Sequence, residues 1–238
     1  MGYNSSILLL SLIEDILDLS KIDSGNFAMH ITDFDLKDLI DEVYDIFIFQ
    51  CENKGLELKV EIDPYLNSIV ISSDKGRIKQ VLLNLISNSL KFTFEGMIFI
   101  KIKYVVKEGK NFIQFSVSDT GIGIKEKDKN KLFKLFGMIK THENQNKLNP
   151  NGWGIGLTVS KKYVEYLGGD INIILGFLDG RGTTVQFSIP LVRAKSDDIS
   201  KNLVVSEDPF ISLANTETLN RRVLNSARNR LETFRASI

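Results

Sequence analysis

The sequence predicts an α/β fold, a two-layer α/β sandwich in which three helices cover one face of a mixed sheet and a long helix precedes it. Three observations lead to this prediction. Apolar residues recur at helical spacing in several segments, apolar and charged residues alternate strictly over residues 56–62, and further short alternating segments follow. Helices packed against one face of such a sheet make two layers.

The elements are predicted in the following order. A long amphipathic helix covers residues 4–22, and its apolar surface is wide enough for more than one partner helix. A second helix ends near Phe49, a third contains residues 81–92, and a fourth starts at Leu157. Strands are expected at residues 56–62, 69–71, 97–106, 112–118, 170–174 and 184–189. Residues 137–151 have little structural pattern, which inside a compact domain suggests a functional lid.

Composition limits the classes of function. A chain of 238 residues, 43% hydrophobic and 25% charged, can bury one sizeable core. Its net charge of zero gives no electrostatic reason to expect nucleic acid or an acidic membrane surface as a partner. The single cysteine fits a reducing compartment, and no apolar run approaches membrane-spanning length. We therefore expect a cytoplasmic chain with no membrane segment.

Three polar residues share one edge of the third helix. At 3.6 residues per turn, Asn88 and Lys91 lie about 40° and about −20° around the axis from Asn84. The apolar stripe of the same helix is separate, and it consists of Val81, Leu82, Leu85, Ile86 and Phe92. An amide oxygen suffices for Mg²⁺, which keeps most of its water and takes few protein ligands, and a lysine can neutralise phosphates. This edge is a candidate site for Mg-ATP.

Glycines and one carboxylate form the rest of the candidate site. Asp119 ends an alternating strand and can accept a hydrogen bond from the amino group of adenine, while Gly121 and Gly123 let the backbone approach the base. Gly152, Gly154 and Gly156 precede the helix that starts at Leu157, whose N-terminus favours phosphate. Gly182 and Thr183 precede the last strand. Each motif alone is weak evidence for a nucleotide site. The prediction rests on their joint occurrence in this order.

These motifs resemble those of sensor histidine kinases of the hybrid type. Residues 80–93 look like the N box of that family, 119–123 like its G1 box, 133–136 like its F box and 152–156 like its G2 box. Residues 12–25 look like the second helix of the dimerisation and phosphotransfer hairpin. The resemblance covers roughly residues 5–192. It implies a partial hairpin at 1–30, the ATP-binding catalytic domain at 31–192 and a polar tail or linker at 193–238.

The resemblance also implies roles for individual residues. Asn88 would hold Mg²⁺, Asn84 and Lys91 would face the phosphates and serve catalysis, and Asp119 would bind the adenine amino group. Other residues would complete the ATP site around these four: Phe92, Gly121, Gly123, Gly152, Gly154, Gly156, Leu157 and Thr183.

The chain departs from the family pattern in two places. The family's acceptor histidine sits on a first hairpin helix, and neither His30 nor His142 matches it. Trp153 stands where the family usually has a small residue, and Asn151 where another glycine is common. Either change stiffens the loop, so we expect nucleotide binding to survive more readily than turnover.

Three functional hypotheses follow. The leading one is a domain that transfers the γ-phosphoryl group of Mg-ATP to an acceptor-histidine helix on another chain, works with a response-regulator receiver domain, and self- or hetero-associates through residues 4–22. The second is a nucleotide-binding regulatory module without phosphotransfer. The third is an ATPase of the chaperone, gyrase or mismatch-repair type. Against the third stands Gln80, because those enzymes place a catalytic glutamate at the start of this motif.

Overall fold

The structure is a computed structural model that describes residues 13, 16–22, 24–129, 131–133, 154–178 and 181–194. The chain divides into two compact units, Met1–Asp197 and Asp198–Ile238, and all described residues belong to the first. The elements are α1 (16–22), β1 (Thr32–Asp35), α2 (Leu36–Asn53), β2 (Glu57–Ile62), a 3₁₀ turn (Pro64–Leu66), β3 (Val70–Ser73), α3 (Lys75–Phe92), β4 (Met97–Lys107), β5 (Lys110–Asp119), α4 (Glu126–Lys129), α5 (Gly156–Tyr166), β6 (Asp170–Leu178) and β7 (Arg181–Pro190).

Five strands form the main sheet in the order β2-β4-β5-β7-β6. β2 pairs with β4 in parallel, and the other neighbours are antiparallel. The register places Ile100, Val117 and Val185 side by side on the face that carries the helices. The opposite face is mixed, with Lys101, Ser116 and the ring of Phe99, which stacks on Phe177. The predicted two-layer α/β sandwich is therefore confirmed, and its alternating strands explain why only one face is covered.

The sequence prediction missed a second, two-stranded sheet. β3 pairs antiparallel with β1 and stands apart from the main sheet, although the sequence suggested only a strand at 69–71 within one sheet. β1 is four residues long and contains two aspartates, so it lacks the alternating apolar pattern that marks a strand. α4 was also missed, and one turn is too short to show helical periodicity.

The core lies between the main sheet and helices α2, α3 and α5. Leu39 and Ile40 of α2 and Leu82 of α3 are at most 1% exposed. Across two neighbouring strands the rings of Phe115 and Phe187 stack at 4.6 Å between centroids. Among the described residues, no helix is long and apolar enough to cross a membrane.

Aspartates begin both long helices. Asp35 accepts a hydrogen bond from the backbone N–H of Lys37, and Asp74 accepts one from Arg77 at 3.0 Å. Each bond satisfies an N–H group that has no partner inside the helix. Asp74 also accepts the backbone N–H of His30 at 2.8 Å, so it ties the segment after α1 to the start of α3.

Glu42 of α2 joins the two helices by accepting from both Lys75 and Lys79 of α3, each at 2.7 Å. The hydrogen bonds from these lysines lower the pKa of Glu42 to about 2. A carboxyl whose pKa is lower in the folded state stabilises the fold above its unfolded pKa, and this contribution is lost as the pH falls from 4.5 towards 2.

We expect Glu42→Gln to lower the free energy of unfolding at pH 7 by roughly 0.5–1 kcal/mol, because the pair is largely exposed and solvent screens it. The difference from the wild type should shrink in urea titrations below pH 4. Glu165→Gln is the control, since the ion pair of Glu165 within the described residues is a single, longer one, with Lys161 at 3.8 Å. Equal losses in both variants would contradict a role for the two-lysine bridge.

Candidate nucleotide-binding site

The polar edge predicted on α3 meets α5 at Asn84. Asn84, Asn88 and Lys91 are all half-buried. The side-chain NH₂ group of Asn84 donates to the carbonyl of Gly156 and to the hydroxyl of Ser160, both at 3.4 Å. These contacts orient the amide of Asn84 through its NH₂ group, and its carbonyl oxygen is the acceptor end of the same amide.

Asp119 ends β5 on the helix-covered face of the sheet. Its carboxylate accepts the hydroxyl of Ser89 at 3.1 Å and the backbone N–H of Gly121 at 3.0 Å. The backbone N–H of Thr183 is a third donor. An ionised carboxylate has about four acceptor positions, so beside the three donors of the described residues it can take one more. Asp119 is only 7% exposed and is therefore a buried acceptor with unused capacity.

Burial raises the pKa of Asp119 because desolvation penalises the charged form. The donors from Gly121, Ser89 and Thr183 act in the opposite direction and favour the carboxylate. Desolvation is the larger cause. The side chain is thus a dry acceptor whose charged form is maintained by hydrogen bonds, which suits a neutral amino donor such as that of adenine.

The loop after β5 packs against other backbone too closely for side chains. A Cβ on Gly121 would lie 2.5 Å from the carbonyl oxygen of Phe92. The backbone N–H of Ile122 donates to that same oxygen at 3.3 Å. Gly182 has φ +75°, and a Cβ there would lie 1.8 Å from the carbonyl oxygen of Asp119. The end of β5, the end of α3 and the start of β7 therefore meet backbone to backbone around Asp119.

Lys91 and Phe92 end the polar edge. The ammonium nitrogen of Lys91 lies 5.2 Å from the centroid of the Phe92 ring. Burial lowers the pKa of Lys91, because desolvation penalises the ammonium form. An anionic ligand beside this ammonium would offset that penalty. Phe92 is half-buried and offers an apolar surface next to the Asp119 loop.

The N-terminus of α5 has no side-chain cap. Ile155 occupies the cap position, and its side chain makes no capping hydrogen bond. The N–H groups of the first residues, Gly156 and Leu157 among them, can therefore bind an anion at the end of the helix dipole. Gly154 precedes this helix with φ +70°, a conformation that favours glycine. Gly152, Trp153, Asn151, the predicted lid at 137–151 and residues 134–136 of the F box lie outside the described residues.

The structure brings most of the predicted residues to one end of the domain. Contacts link Asn84 to Gly156, Asp119 to Gly121 and Thr183, and Gly123 to Gly182. Sequence reasoning missed Ser89 and Ser160. Ser89 is a small polar residue between apolar positions of α3, which was the available signal. Among the described residues, no group of three or more His, Cys, Asp or Glu side chains could hold a metal.

A family profile described as "Histidine kinase-, DNA gyrase B-, and HSP90-like ATPase" matches residues 73–193, about half of the chain. The chain belongs to this ATPase family. The matched region contains α3 with its polar edge, Asp119, the glycine loops and α5. The elements that converge around Asp119 therefore lie within the matched ATPase domain.

Relatives of the ATPase domain include sensor kinases. The chain is 39% identical over 183 residues to "Hybrid signal transduction histidine kinase B" of Dictyostelium discoideum, which covers 76% of this chain and 9% of that protein. It is 33% identical over 198 residues to "Signal transduction histidine-protein kinase BarA" of Escherichia coli K12, with 83% and 20% covered. The chain thus spans less than a quarter of the length of these relatives.

Solved structures support the same family. Full-length ShkA in complex with AMPPNP superposes with a TM-score of 0.63 at 26% identity, over 78% of this chain and 36% of that one. The catalytic domain of histidine kinase ThkA, in a nucleotide-free form, gives a TM-score of 0.56 at 30% identity, over 69% of this chain and 99% of that one. The ATPase domain of this chain therefore has the fold of a complete histidine kinase catalytic domain.

Proposed function

We propose that this chain is the ATP-binding catalytic domain of a hybrid-type sensor histidine kinase, and that it transfers the γ-phosphoryl group of Mg-ATP to a histidine on another chain. The observation that carries the proposal is Asp119. Its carboxylate is buried, has one acceptor position left, and lies beside a loop into which only backbone fits. The relatives named above are kinases of this type, and none favours the regulatory-module or chaperone alternatives.

The residues present fit a magnesium nucleotide. Magnesium needs only one or two protein oxygens when phosphates supply others, and the amide oxygen of Asn88 on the polar edge can be such a ligand. The ion would neutralise phosphate charge when bound. Lys91 and the N-terminus of α5 would contact the phosphates, and the carbonyl oxygen of Asn84 would face the same ligand.

Transfer itself would depend on position and charge more than on acid–base chemistry. The γ-phosphoryl group needs an imidazole nitrogen in line and stabilisation of charge on its oxygens. We assign the charge stabilisation to Lys91, whose pKa is lowered by burial and whose ammonium form an anion would favour. His30 is exposed and close to Asp74 through its backbone, so we assign it no role in transfer.

The acceptor would pack on α1. Ile16 and Leu17 of α1 are 48% and 52% exposed, whereas Asp18 and Ile22 of the same helix are buried, and Ile13 ahead of α1 is 44% exposed. An apolar face of this kind fits an acceptor-histidine helix contributed by another chain. In the proposed pathway a receiver domain then takes the phosphoryl group, and the domain acts in the cytoplasm.

We expect Asn88→Ala to lower the affinity for ATP at least tenfold in the presence of Mg²⁺ and to change it less than twofold in EDTA, because the variant loses a metal ligand and no base contact. Isothermal calorimetry with and without the ion measures both values. Ser87→Ala is the matched control, since Ser87 is the exposed neighbour on the same helix.

An equal loss with and without the ion would contradict the metal role of Asn88. Incubation with labelled ATP and a supplied helix peptide bearing one histidine then tests transfer. The proposed function is supported if the wild type labels the peptide and Asn88→Ala does not. Binding of Mg-ATP by the wild type without labelling would favour the regulatory module instead.

A further inference from the structure

A buried charged cluster joins α1 to the ATPase domain outside the nucleotide site. Asp18 of α1 is only 6% exposed. Its carboxylate oxygen Oδ2 lies 2.5 Å from Nη1 of Arg77 on α3 and accepts the hydroxyl of Tyr163 on α5 at 2.6 Å. Arg77 also donates to that hydroxyl at 3.0 Å. One aspartate thus holds two helices of the domain.

Two aromatic rings flank the guanidinium group of this cluster. Its central carbon lies 4.8 Å from the centroid of the Tyr163 ring and 5.2 Å from that of Phe27. The Phe27 ring stacks on Tyr163 and meets Tyr166 edge to face at 4.9 Å. The hydroxyl of Tyr166 donates to the carbonyl of Ile22 at 3.5 Å. The Arg77 side chain keeps 32% of its surface exposed, and these contacts orient its guanidinium group towards the buried Asp18.

The cluster and the nucleotide site share the same two helices. Arg77 precedes Asn84 by seven residues, which places it on the same face of α3 and about 10 Å along the axis. Tyr163 follows Ser160 by three residues on α5, and Ser160 is a partner of Asn84. The contact between α3 and α5 therefore has the Asp18 cluster at one end and Asn84 with the N-terminus of α5 at the other.

We propose that Asp18, Arg77 and Tyr163 are positioning residues that hold the ATPase domain on α1 in the orientation from which the phosphoryl group is transferred. The inference rests on the proposed function. Between α1 and β1 the chain has no helix or strand from residue 26 to residue 31, and the His30–Asp74 hydrogen bond ties only this segment to α3. The contacts of Asp18 hold α1 itself against α3 and α5. Restricting the domain to one orientation raises the effective concentration of its phosphoryl group at a histidine packed on α1.

Two substitutions separate this role from a general loss of structure. Asp18→Asn keeps the shape of the side chain but removes the charge that Arg77 faces. Tyr163→Phe keeps the stacked ring and removes only the hydroxyl. Neither residue belongs to the nucleotide site. Asp33→Asn makes the same chemical change at an exposed aspartate and serves as the matched control.

The test measures phosphorylation of the supplied acceptor helix at saturating Mg-ATP, and calorimetry measures ATP binding in the same samples. We expect Asp18→Asn to reduce the transfer rate at least tenfold and Tyr163→Phe two- to fivefold, with the affinity for ATP within twofold of the wild type. The double variant should be no slower than Asp18→Asn, because the residues act as one unit. Unchanged or faster transfer in Asp18→Asn would overturn the proposal.

Hydrogen exchange provides a readout that does not need transfer. The amides of residues 16–22 should exchange at least tenfold faster in Asp18→Asn than in Asp33→Asn, while those of β4 and β5 should not change. Equal exchange rates of residues 16–22 in the two variants would overturn the proposal that the cluster holds the domain on α1. If the wild type binds ATP but labels no acceptor, the proposed function fails, and the exchange result still decides whether the cluster fixes α1.

Discussion

Asp119→Asn is expected to weaken ATP binding by roughly 10- to 150-fold, which corresponds to the 1.5–3 kcal/mol typical of a hydrogen bond to a charged group. The amide has the shape of the carboxylate, but its NH₂ end cannot accept. Three donors already point at this side chain, from Ser89, Gly121 and Thr183. In the variant, the NH₂ group must therefore either occupy the position where the carboxylate would accept from adenine, or point at one of the three N–H or O–H donors.

Calorimetry with Mg-ATP measures the loss, and thermal unfolding of the same samples separates it from misfolding. Asp33→Asn is again the control, because Asp33 is exposed on β1 and remote from the candidate site in the fold. Affinity within twofold of the wild type for Asp119→Asn would show that the carboxylate is not the adenine acceptor, and the proposed function would lose its main support.

The pH dependence of binding gives a second check on Asp119. Burial raises its folded pKa above 3.8. The amino group of adenine needs the ionised carboxylate as its acceptor. As the pH is lowered, the affinity for ATP should therefore begin to fall at a higher pH than it would if Asp119 were an exposed aspartate. The contribution of Asp119 to stability has the opposite trend, because it is fully present below the unfolded pKa and is lost as the pH rises through the folded pKa. In Asp119→Asn both trends should disappear.

The sequence was sufficient to predict features that depend on local periodicity. The polar edge of Asn84, Asn88 and Lys91 follows from 3.6 residues per turn, and the structure has this edge beside α5. The strand that ends at Asp119 follows from alternation, and it occurs as β5. Both features depend on neighbours within one element, which the order of residues determines directly.

Features that depend on contacts between distant segments could not be predicted in this way. Asp18 on an amphipathic helix has the pattern of a solvated residue, yet its partners Arg77 and Tyr163 lie 59 and 145 positions away. Ser89 bonds to Asp119 across 30 positions. Polar side chains of this kind are buried only because the packing of α1, α3, α5 and the sheet brings a partner to each one.

Gly182→Ala tests a close backbone contact between β7 and the end of β5, and we expect it to cause a large loss of stability. The residue has φ +75°, and an added Cβ would lie 1.8 Å from the carbonyl oxygen of Asp119 and 3.1 Å from the Cα of Thr120. Both neighbours are backbone atoms of β5 or its end, so no side chain can rotate away. Strain from the left-handed conformation and from overpacking together should cost about 2–4 kcal/mol.

Gly109→Ala isolates the contact from the conformation. Gly109 also has φ +75°, but a Cβ there would have nothing within 4 Å. Its cost should be only about 1 kcal/mol, the penalty of a left-handed conformation for alanine. Urea unfolding of the two variants gives the difference, and ATP binding should fall in Gly182→Ala alone, because β7 and the end of β5 must separate at Asp119. Equal destabilisation would mean that the backbone at Asp119 can yield, and that the geometry of the adenine acceptor does not depend on glycine at position 182.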